Sequence, residues 1–385
     1  MGYKNSTGKK YNYKTSSRKM KILYYDKSIG FGGALVCLSL TLKYLNKRKF
    51  YPFVATSCED KFIDLHIVPY TNKHFYLKKY NIKKSIGYWL TIIEHTIKLS
   101  YIIKKTKINI LHANNGLYTN AAAFMAGKIC NIPTICHQKM WASSTKLDHI
   151  LCRYPKYYIA ISNAVKKSII NLLKIPEEKI KIIYPGIDIK KFNIKKTRET
   201  RKLTKIGILG CLIPWKGHEV FIKAIYKLNQ MNIAFKAYII GDAPPSFLYY
   251  EKYLKELSNQ LKLNTVLVFK GRILDIWNIV NSIDIMVHAS IDPEPFGRVI
   301  VESMALEKPV IATNLGGPSE IIKHNKTGIL IPPNNPDLLA SEIKNLILNE
   351  KLRIEMGKRA RKDVIDRFDI CKLVASIESI YSNLL

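Results

Sequence analysis

Residues 291–320 read IDPEPFGRVIVESMALEKPVIATNLGGPSE. The prolines and the glycine around Glu294 are incompatible with a regular helix, so this glutamate is predicted to lie on a loop. Residues 298–306 then have the apolar spacing of a helix, and residues 284–288 and 309–313 are short apolar runs typical of buried strands. Ligands of open parallel α/β sheets bind beyond the carboxyl ends of the strands, so Glu294 is expected at a binding site.

The start of this helix has the chemistry of a phosphate site. Backbone N–H groups at Gly297, Arg298 and Val299 are predicted to be unpaired and to lie at the positive end of the helix dipole, which suits a pyrophosphate. Glu302, on the second turn, can accept two hydrogen bonds from a ribose diol, and Glu294 would reach sugar hydroxyls beyond the phosphates. The alternative is that the two glutamates only cap the helix or face solvent.

Strands and helices alternate on both sides of this stretch. Upstream, strands are predicted at 21–25, 108–112, 134–136 and 157–161, with helices at 120–129 and 163–173. A second series has strands at 205–209, 235–240 and 266–270 and helices at 217–229 and 249–261. This alternation predicts an α/β protein with two Rossmann-like, doubly wound domains that face each other across a cleft.

The length of the chain agrees with two domains, since 385 residues exceed what one core usually organises. We predict a basic disordered arm at 1–19, a first domain at 20–190, a linker at 191–204 and a second domain at 205–368. Residues 369–385 are predicted to form a final helix that can pack back on the first domain.

Positive charge is concentrated in the first half of the chain. The net charge is +33, of which residues 1–196 carry +27 (36 basic and 9 acidic side chains) and residues 197–385 carry +6 (26 basic and 20 acidic). Such a field favours a polyanionic partner, which can be a nucleic acid, an anionic membrane or an acidic substrate. A genome biased towards A and T also enriches lysine, but it explains the asymmetry poorly.

The seven cysteines are scattered and never form a C-x-x-C pair, which indicates a reducing compartment and no structural zinc. Residues 28–42 follow a basic segment as a secretion signal would, but they contain three glycines and lack a small-residue cleavage pattern. We expect a protein of the cytoplasmic or organellar stromal side that is peripheral to a membrane, not secreted, and without a transmembrane span.

Residues 291–320 resemble the signature of the retaining glycosyltransferases of family four, the group 1 glycosyltransferases, which have the GT-B fold. Within this stretch the resemblance includes Glu307, 309–313, Gly316, Gly317 and Glu320, and it continues downstream at Ile321, Thr327 and Gly328. Upstream it holds at 161–164 (ISNA), 184–188 (YPGID), Gly210, 214–218 (PWKGH), Gly241, Asp242 and Gly271. It therefore covers nearly everything after the basic arm and implies a GT-B architecture.

The resemblance implies roles for residues of both domains. Lys216 is expected to neutralise the donor diphosphate, and Gly33, Gly210 and Phe296 are expected to lie at the donor with Glu294, Gly297, Arg298, Val299 and Glu302. Gly30, Gly32 and Gly33 would form a tight turn near the donor phosphates and the acceptor. His137 matches the histidine that the family places beside the reacting sugar, and His112 is a second candidate on the acceptor side.

One position departs from the family. The residue after Gly210 is usually an arginine that shares the phosphate charge, but here it is Cys211. Either Lys216 carries more of the charge, or another basic residue such as Arg272 or Arg298 replaces the arginine. A degenerate transferase that binds its donor but turns over slowly is an alternative.

The resemblance implies transfer with retention at the anomeric carbon, without metal or other cofactor, in which the departing phosphate accepts the proton of the acceptor hydroxyl. The nucleotide sugar, UDP-, GDP- or ADP-linked, is then a substrate. Residues 81–107 mix apolar residues, Trp89 and tyrosines with lysines and a single acid, Glu94. This pattern favours an amphipathic helix at an anionic membrane and hence a lipid-linked acceptor, although a helix packed on the sheet is equally compatible.

The rival from another class is a non-catalytic nucleic-acid-binding protein, which the net charge and 23 tyrosines would suit. We find no nucleic-acid-binding motif in the sequence and expect no nucleic-acid partner.

Overall fold

The computed structural model describes residues 19–27, 32–57, 61–78, 84–194, 203–273 and 275–384. Residues 1–18 of the predicted arm, Gly30 of the glycine turn, and residues 195–202 of the predicted linker lie outside the described residues.

The first sheet has seven parallel strands within the described chain, in the order β3-β2-β1-β4-β5-β6-β7. They are β1 (Met20–Asp26), β2 (Phe50–Thr56), β3 (Lys73–Tyr76), β4 (Ile110–Ala113), β5 (Thr134–Gln138), β6 (Tyr157–Ala160) and β7 (Ile180–Ile182). The central strands are apolar on both faces because helices cover both faces, as in β1, where residues 22–25 are fully buried. The helices are α1 (Gly33–Tyr44), α2 (Lys61–His66), α3 (Lys84–Thr106), α4 (Ala121–Ile129), α5 (Lys146–Leu151) and α6 (Asn163–Leu173).

The second sheet has six parallel strands among the described residues, in the order β10-β9-β8-β11-β12-β13. They are β8 (Thr204–Leu209), β9 (Phe235–Ile240), β10 (Leu267–Gly271), β11 (Ile285–His288), β12 (Val310–Thr313) and β13 (Ile329–Ile331). Its helices are α7 (His218–Gln230), α8 (Leu248–Gln260), α9 (Ile276–Ser282), α10 (Arg298–Ala305), α11 (Pro318–Ile321), α12 (Pro336–Leu348) and α13 (Glu350–Arg367). The prediction of two doubly wound parallel sheets is confirmed.

The last helix, α14 (Ile370–Ser382), leaves the second sheet and packs on the first. Its apolar side, including Leu373 and Ile377, shares a core with Leu35 and Leu38 of α1. The chain crosses beside Ile187, whose N–H donates to Phe368 and whose carbonyl accepts from Ile370. Both ends of the described chain therefore belong to the first domain.

Side-chain hydrogen bonds join the loops of the two sheets at the cleft. Ser162 Oγ donates to the carbonyl of Pro295 at 2.6 Å, and Trp141 Nε1 donates to the carbonyl of Pro293 at 3.2 Å. The carboxylate of Glu320 accepts the backbone N–H groups that open α6, at 2.8 and 2.9 Å. An acid from one domain thus caps a helix of the other, which is favourable because the helix N-terminus is positive.

Within the described residues, no helix combines the length and the apolar character needed to cross a bilayer.

Candidate active site

A cleft of about 700 Å³ lies between the carboxyl ends of the two sheets. Both domains contribute to its wall, which agrees with the rule that parallel sheets bind ligands at this edge. The predicted residues that line it are Gly32, Gly33, Gly210, Lys216, Glu294, Phe296, Gly297, Arg298 and Val299.

Lys216 and Glu294 form an ion pair in this wall. Lys216 ends a short 3₁₀ turn (Pro214–Lys216), and the left-handed Gly217 that follows lets the turn pack against the end of β11. A Cβ at Gly217 would lie 1.8 Å from the carbonyl oxygen of Ala289, so only glycine allows this packing. The Lys216 ammonium also lies 4.0 Å from the centre of the Trp215 ring.

Glu294 has a second partner, His288, the last residue of β11, whose Nε2 lies 3.4 Å from the Glu294 carboxylate. Burial raises the pKa of Glu294, but the hydrogen bond with His288 and the charge of Lys216 outweigh it and lower this pKa to about 2. Glu294 is therefore an ionised hydrogen-bond acceptor at neutral pH, and it is unsuited to deliver a proton.

Helix α10 points its N-terminus into the cleft. Its first turn follows Gly297, which has φ of +101°, and no side chain of the described residues caps it. The helix contains no acid in its first turn. Free backbone N–H groups and the helix dipole make this end suitable for an anion.

Glu302 lies behind the cleft wall rather than in it, since it is 7% exposed and pairs with Arg298. Arg298 Nη2 donates to Glu302 at 2.6 Å, while Nη1 donates at 3.1 Å to the carbonyl of Gly33 in the first domain. Burial raises the pKa of Glu302, and the charge of Arg298 offsets part of this effect. Arg298 therefore bridges the two domains and separates Glu302 from the cleft.

The two predicted histidines, His112 and His137, contact each other, but they lie behind the wall of the large cleft. His112 Nε2 and His137 Nδ1 are 3.2 Å apart, and both rings are buried. Burial and the charge of Lys139 lower the pKa of His112 to about 3 and that of His137 well below its ordinary value, so both are neutral. His137 borders a small adjoining cavity that it shares with Lys139.

Arg272 and Cys211 are exposed and are not part of the cleft wall. Of the two residues proposed to replace the missing arginine, Arg298 lies in the wall in this conformation and Arg272 does not.

Among the residues of the site that were not predicted, Lys139 and Trp141 line the cleft, and His288 contacts Glu294. Lys139 comes just after β5, two positions beyond His137, where a cation at a strand's carboxyl end was an available signal. His288 likewise ends β11. Within the described residues, no group of three or more His, Cys, Asp or Glu side chains is placed to hold a metal ion.

Comparison with known proteins places both domains in described families. The model "Glycosyl transferases group 1" matches residues 189–363, and "Glycosyltransferase Family 4" matches residues 31–191. An uncharacterized glycosyltransferase of Methanocaldococcus jannaschii is 30% identical over 306 residues, which cover 73% of this chain and 76% of the relative.

Two further similar proteins are known with a substrate or a bound ligand. The UDP-Gal:alpha-D-GlcNAc-diphosphoundecaprenol alpha-1,3-galactosyltransferase of Escherichia coli is 25% identical over 319 residues, covering 75% of this chain and 79% of that protein. The crystal structure of Anabaena Alr3699/HepE with UDP and glucose superposes with a TM-score of 0.82 at 26% identity, covering 94% of this chain and 99% of that one.

Proposed function

This chain belongs to the group 1 glycosyltransferases of family 4, and from that membership we propose that it transfers a hexose-type sugar from a nucleotide-sugar donor to a hydroxyl of a glycolipid, lipid-linked or polysaccharide acceptor. The transfer retains the anomeric configuration and requires no metal. The observation that carries the proposal is the joint placement of Lys216, Glu294 and the N-terminus of α10 in one cleft.

Each part of the nucleotide-sugar donor is assigned to a group of the cleft. The diphosphate binds the N–H groups that open α10, and Lys216 neutralises it as the nucleoside diphosphate departs. Glu294, ionised because its pKa is about 2, accepts hydrogen bonds from sugar hydroxyls. Glu302 accepts the ribose diol, for which Arg298 must first turn away from it.

The chemistry needs no strong base from the protein. A departing phosphate is a competent acceptor for the proton of the incoming hydroxyl when both lie on one face of the sugar. The lowered pKa values of His112 and His137 leave them uncharged, which suits His137 to a polar contact near the sugar more than to proton transfer. Glu294 and Glu302 do not act as a glycosidase pair, because the departing phosphate accepts the proton and the transfer needs no protein acid and nucleophile.

We propose that the protein reaches its acceptor at an anionic membrane, on which α3 docks. Exposed apolar side chains follow one face of this helix at helical spacing, namely Ile86, Trp89, Ile93, Ile97 and Tyr101; we call this set the α3 stripe. The opposite face, including Leu99 and Ile103, is buried on the domain. Lysines at the end of the helix suit anionic headgroups.

A lipid-linked acceptor agrees with the Escherichia coli relative, which is named for a diphosphoundecaprenol acceptor. That likeness supports the class of acceptor and leaves its sugar open.

A donor screen tests the proposed function. UDP-, GDP- and ADP-sugars are compared by thermal shift and then by release of nucleoside diphosphate, with UDP-glucose first because the Anabaena protein binds it. We expect one nucleotide class to stabilise the protein and to be turned over in the presence of EDTA. Failure of all three classes to bind would overturn the proposal, and strict dependence on a divalent ion would contradict its metal-free mechanism.

A further inference from the structure

Lys139 is a buried cation of the cleft to which neither the residue pattern nor the family resemblance gave a role. It follows β5 and lies in the wall of the same cleft as Lys216 and Arg298, but on the side of the first domain. Its side chain is 9% exposed. A lysine is rarely buried to this extent unless a partner or a ligand compensates its charge.

The contacts of Lys139 leave that charge without a direct counter-ion. Its Nζ donates to Asn114 Oδ1 at 2.6 Å and to the carbonyl of Ala34 at 3.2 Å, and both acceptors are neutral. The Asn114 amide in turn donates to the carboxylate of Asp26, so one side chain separates the ammonium from this acid. An ammonium has three N–H donors, and among the described residues two are used, which leaves one for a ligand.

The other two cations of the cleft differ in this respect. Lys216 is paired with Glu294, and Arg298 is paired with Glu302. Among the described residues, Lys139 is the cleft cation that forms no ion pair with a carboxylate. Burial lowers the pKa of Lys139 and outweighs the opposing influence of the nearby Cys37 and Asp26, which is the direction expected of a buried cation without a direct ion pair.

The position of Lys139 indicates which anion it would contact. Lys139 and Arg298 donate to the carbonyls of neighbouring residues, Ala34 and Gly33, so the two cationic groups lie side by side at the start of α1. Arg298 is also the first residue of α10, whose open N-terminus faces the cleft. A phosphate at that N-terminus would therefore meet a positive charge from the first domain as well as Lys216 from the second.

Resting on the proposed function, we propose that Lys139 binds the β-phosphate of the nucleotide-sugar donor and supplies, from the opposite domain, the positive charge that Cys211 does not provide. A phosphate oxygen would accept a hydrogen bond from the third N–H group of the ammonium and would compensate its buried charge. The diphosphate would then be held from both domains.

Binding of UDP and UMP to wild-type protein and to Lys139→Gln, measured by calorimetry, tests this assignment. If the donor screen identifies guanine or adenine as the preferred base, GDP and GMP, or ADP and AMP, replace UDP and UMP. We expect Lys139→Gln to raise the Kd of the diphosphate about tenfold, equivalent to about 1.4 kcal/mol, and that of the monophosphate less than about twofold. Lys128→Gln, at an exposed lysine of the same domain, removes the same charge and should change neither value.

The outcomes separate the two proposals. A Kd for the diphosphate that is unchanged in Lys139→Gln, or an equal loss for both nucleotides, would overturn the role of Lys139. If wild-type protein binds no nucleoside diphosphate, the proposed function itself fails and this role with it. Lys139→Met, which also lacks the charge but needs no buried polar contact, replaces the glutamine variant should that variant not fold.

Discussion

Glu294 is a carboxylate held in the ionised state by two neighbours, and this fixes what it can do. Lys216 and His288 together lower its pKa from 4.5 to about 2 despite burial. The same pairing links the site to folding stability. A carboxylate whose pKa is lower in the folded than in the unfolded state stabilises the fold above the unfolded pKa, and this contribution is lost as the pH falls towards the folded value.

Glu294→Gln should therefore make the free energy of unfolding less dependent on pH in the acidic range. The wild type is expected to lose up to about 3 kcal/mol of unfolding free energy from this group between about pH 5 and pH 2, whereas the variant lacks that contribution throughout. Urea unfolding at several pH values measures it. Glu178→Gln, at an exposed glutamate, is the matched control. Parallel wild-type and Glu294→Gln profiles would contradict the assigned ion pair.

Cys211 tests whether the site is complete without the family's arginine. With Lys139, Lys216 and Arg298 in the cleft wall, the account expects Cys211→Arg to change donor turnover by less than about threefold, well below the 10²-fold or larger effects typical of a missing transition-state contact. Cys371→Arg, at another exposed cysteine, controls for added charge. A gain of 10²-fold in kcat would show that the site is degenerate.

Individual residues were predictable to different degrees. The proline and glycine pattern was enough to predict Glu294 on a loop, because this depends on local backbone chemistry. The expectation that Lys216 lies at the site came from the family resemblance, and the structure places it in the cleft wall. The burial of His112 and His137 was not predictable, since it depends on how α14 covers the first sheet. The position of Lys139 after a strand was visible in the sequence, but its burial was not predictable, because its partners Asn114 and Ala34 come from distant parts of the chain.

At the scale of elements, α3 has two apolar faces and only one of them is buried. The buried face packs on the domain, and the α3 stripe remains exposed, with Ile93 and Ile97 at 52% and 64%. The sequence left membrane docking and ordinary packing equally open, because 3.6-residue periodicity cannot say which apolar face meets protein. The structure accounts for one face by packing and leaves the other exposed.

Ile93→Ser combined with Ile97→Ser should weaken sedimentation with anionic vesicles. Burial of an isoleucine in an apolar phase is worth about 1.5–3 kcal/mol, so the pair should lower the partition coefficient by at least about 10²-fold. A control variant, Ile129→Ser with Leu348→Ser, changes two exposed apolar residues outside α3. Equally poor retention of wild-type protein by neutral and anionic vesicles would refute membrane docking.

Helix α14 contributes a buried hydroxyl to the first domain. Tyr381 Oη donates to Tyr24 Oη at 2.9 Å and lies 2.7 Å from His112 Nδ1. Tyr381→Phe should lower the free energy of unfolding by about 1–3 kcal/mol, because two buried polar partners lose a hydrogen bond. Denaturant unfolding checks this against Tyr249→Phe, whose exposed ring should give nearly no change.

Most of the strands and helices predicted from periodicity were found within one or two residues of the expected bounds, as with 235–240 and β9 (Phe235–Ile240). The edge strand β3 was not predicted. Its sequence, KHFY, has little apolar alternation and is half exposed, so its pairing with β2 defines it rather than its composition.

At the scale of the whole molecule, the two sheets and the cleft between them follow from alternation and length, but the contacts that close the cleft do not. The bonds from Ser162 and Trp141 to the loop of Glu294 depend on two distant segments meeting. The uneven charge of the chain agrees with this arrangement, since the nearly balanced domain holds the expected donor groups and the basic domain carries the α3 stripe.

Retaining sugar transfer from a nucleotide donor can be recognised from the anomeric configuration of the product. Proton NMR follows the sugar released by slow donor hydrolysis, or transferred to an acceptor, before mutarotation equilibrates it. The first product should have the same anomeric configuration as the donor, and Lys216→Gln should abolish its formation. A first product of inverted configuration would rule out retaining transfer.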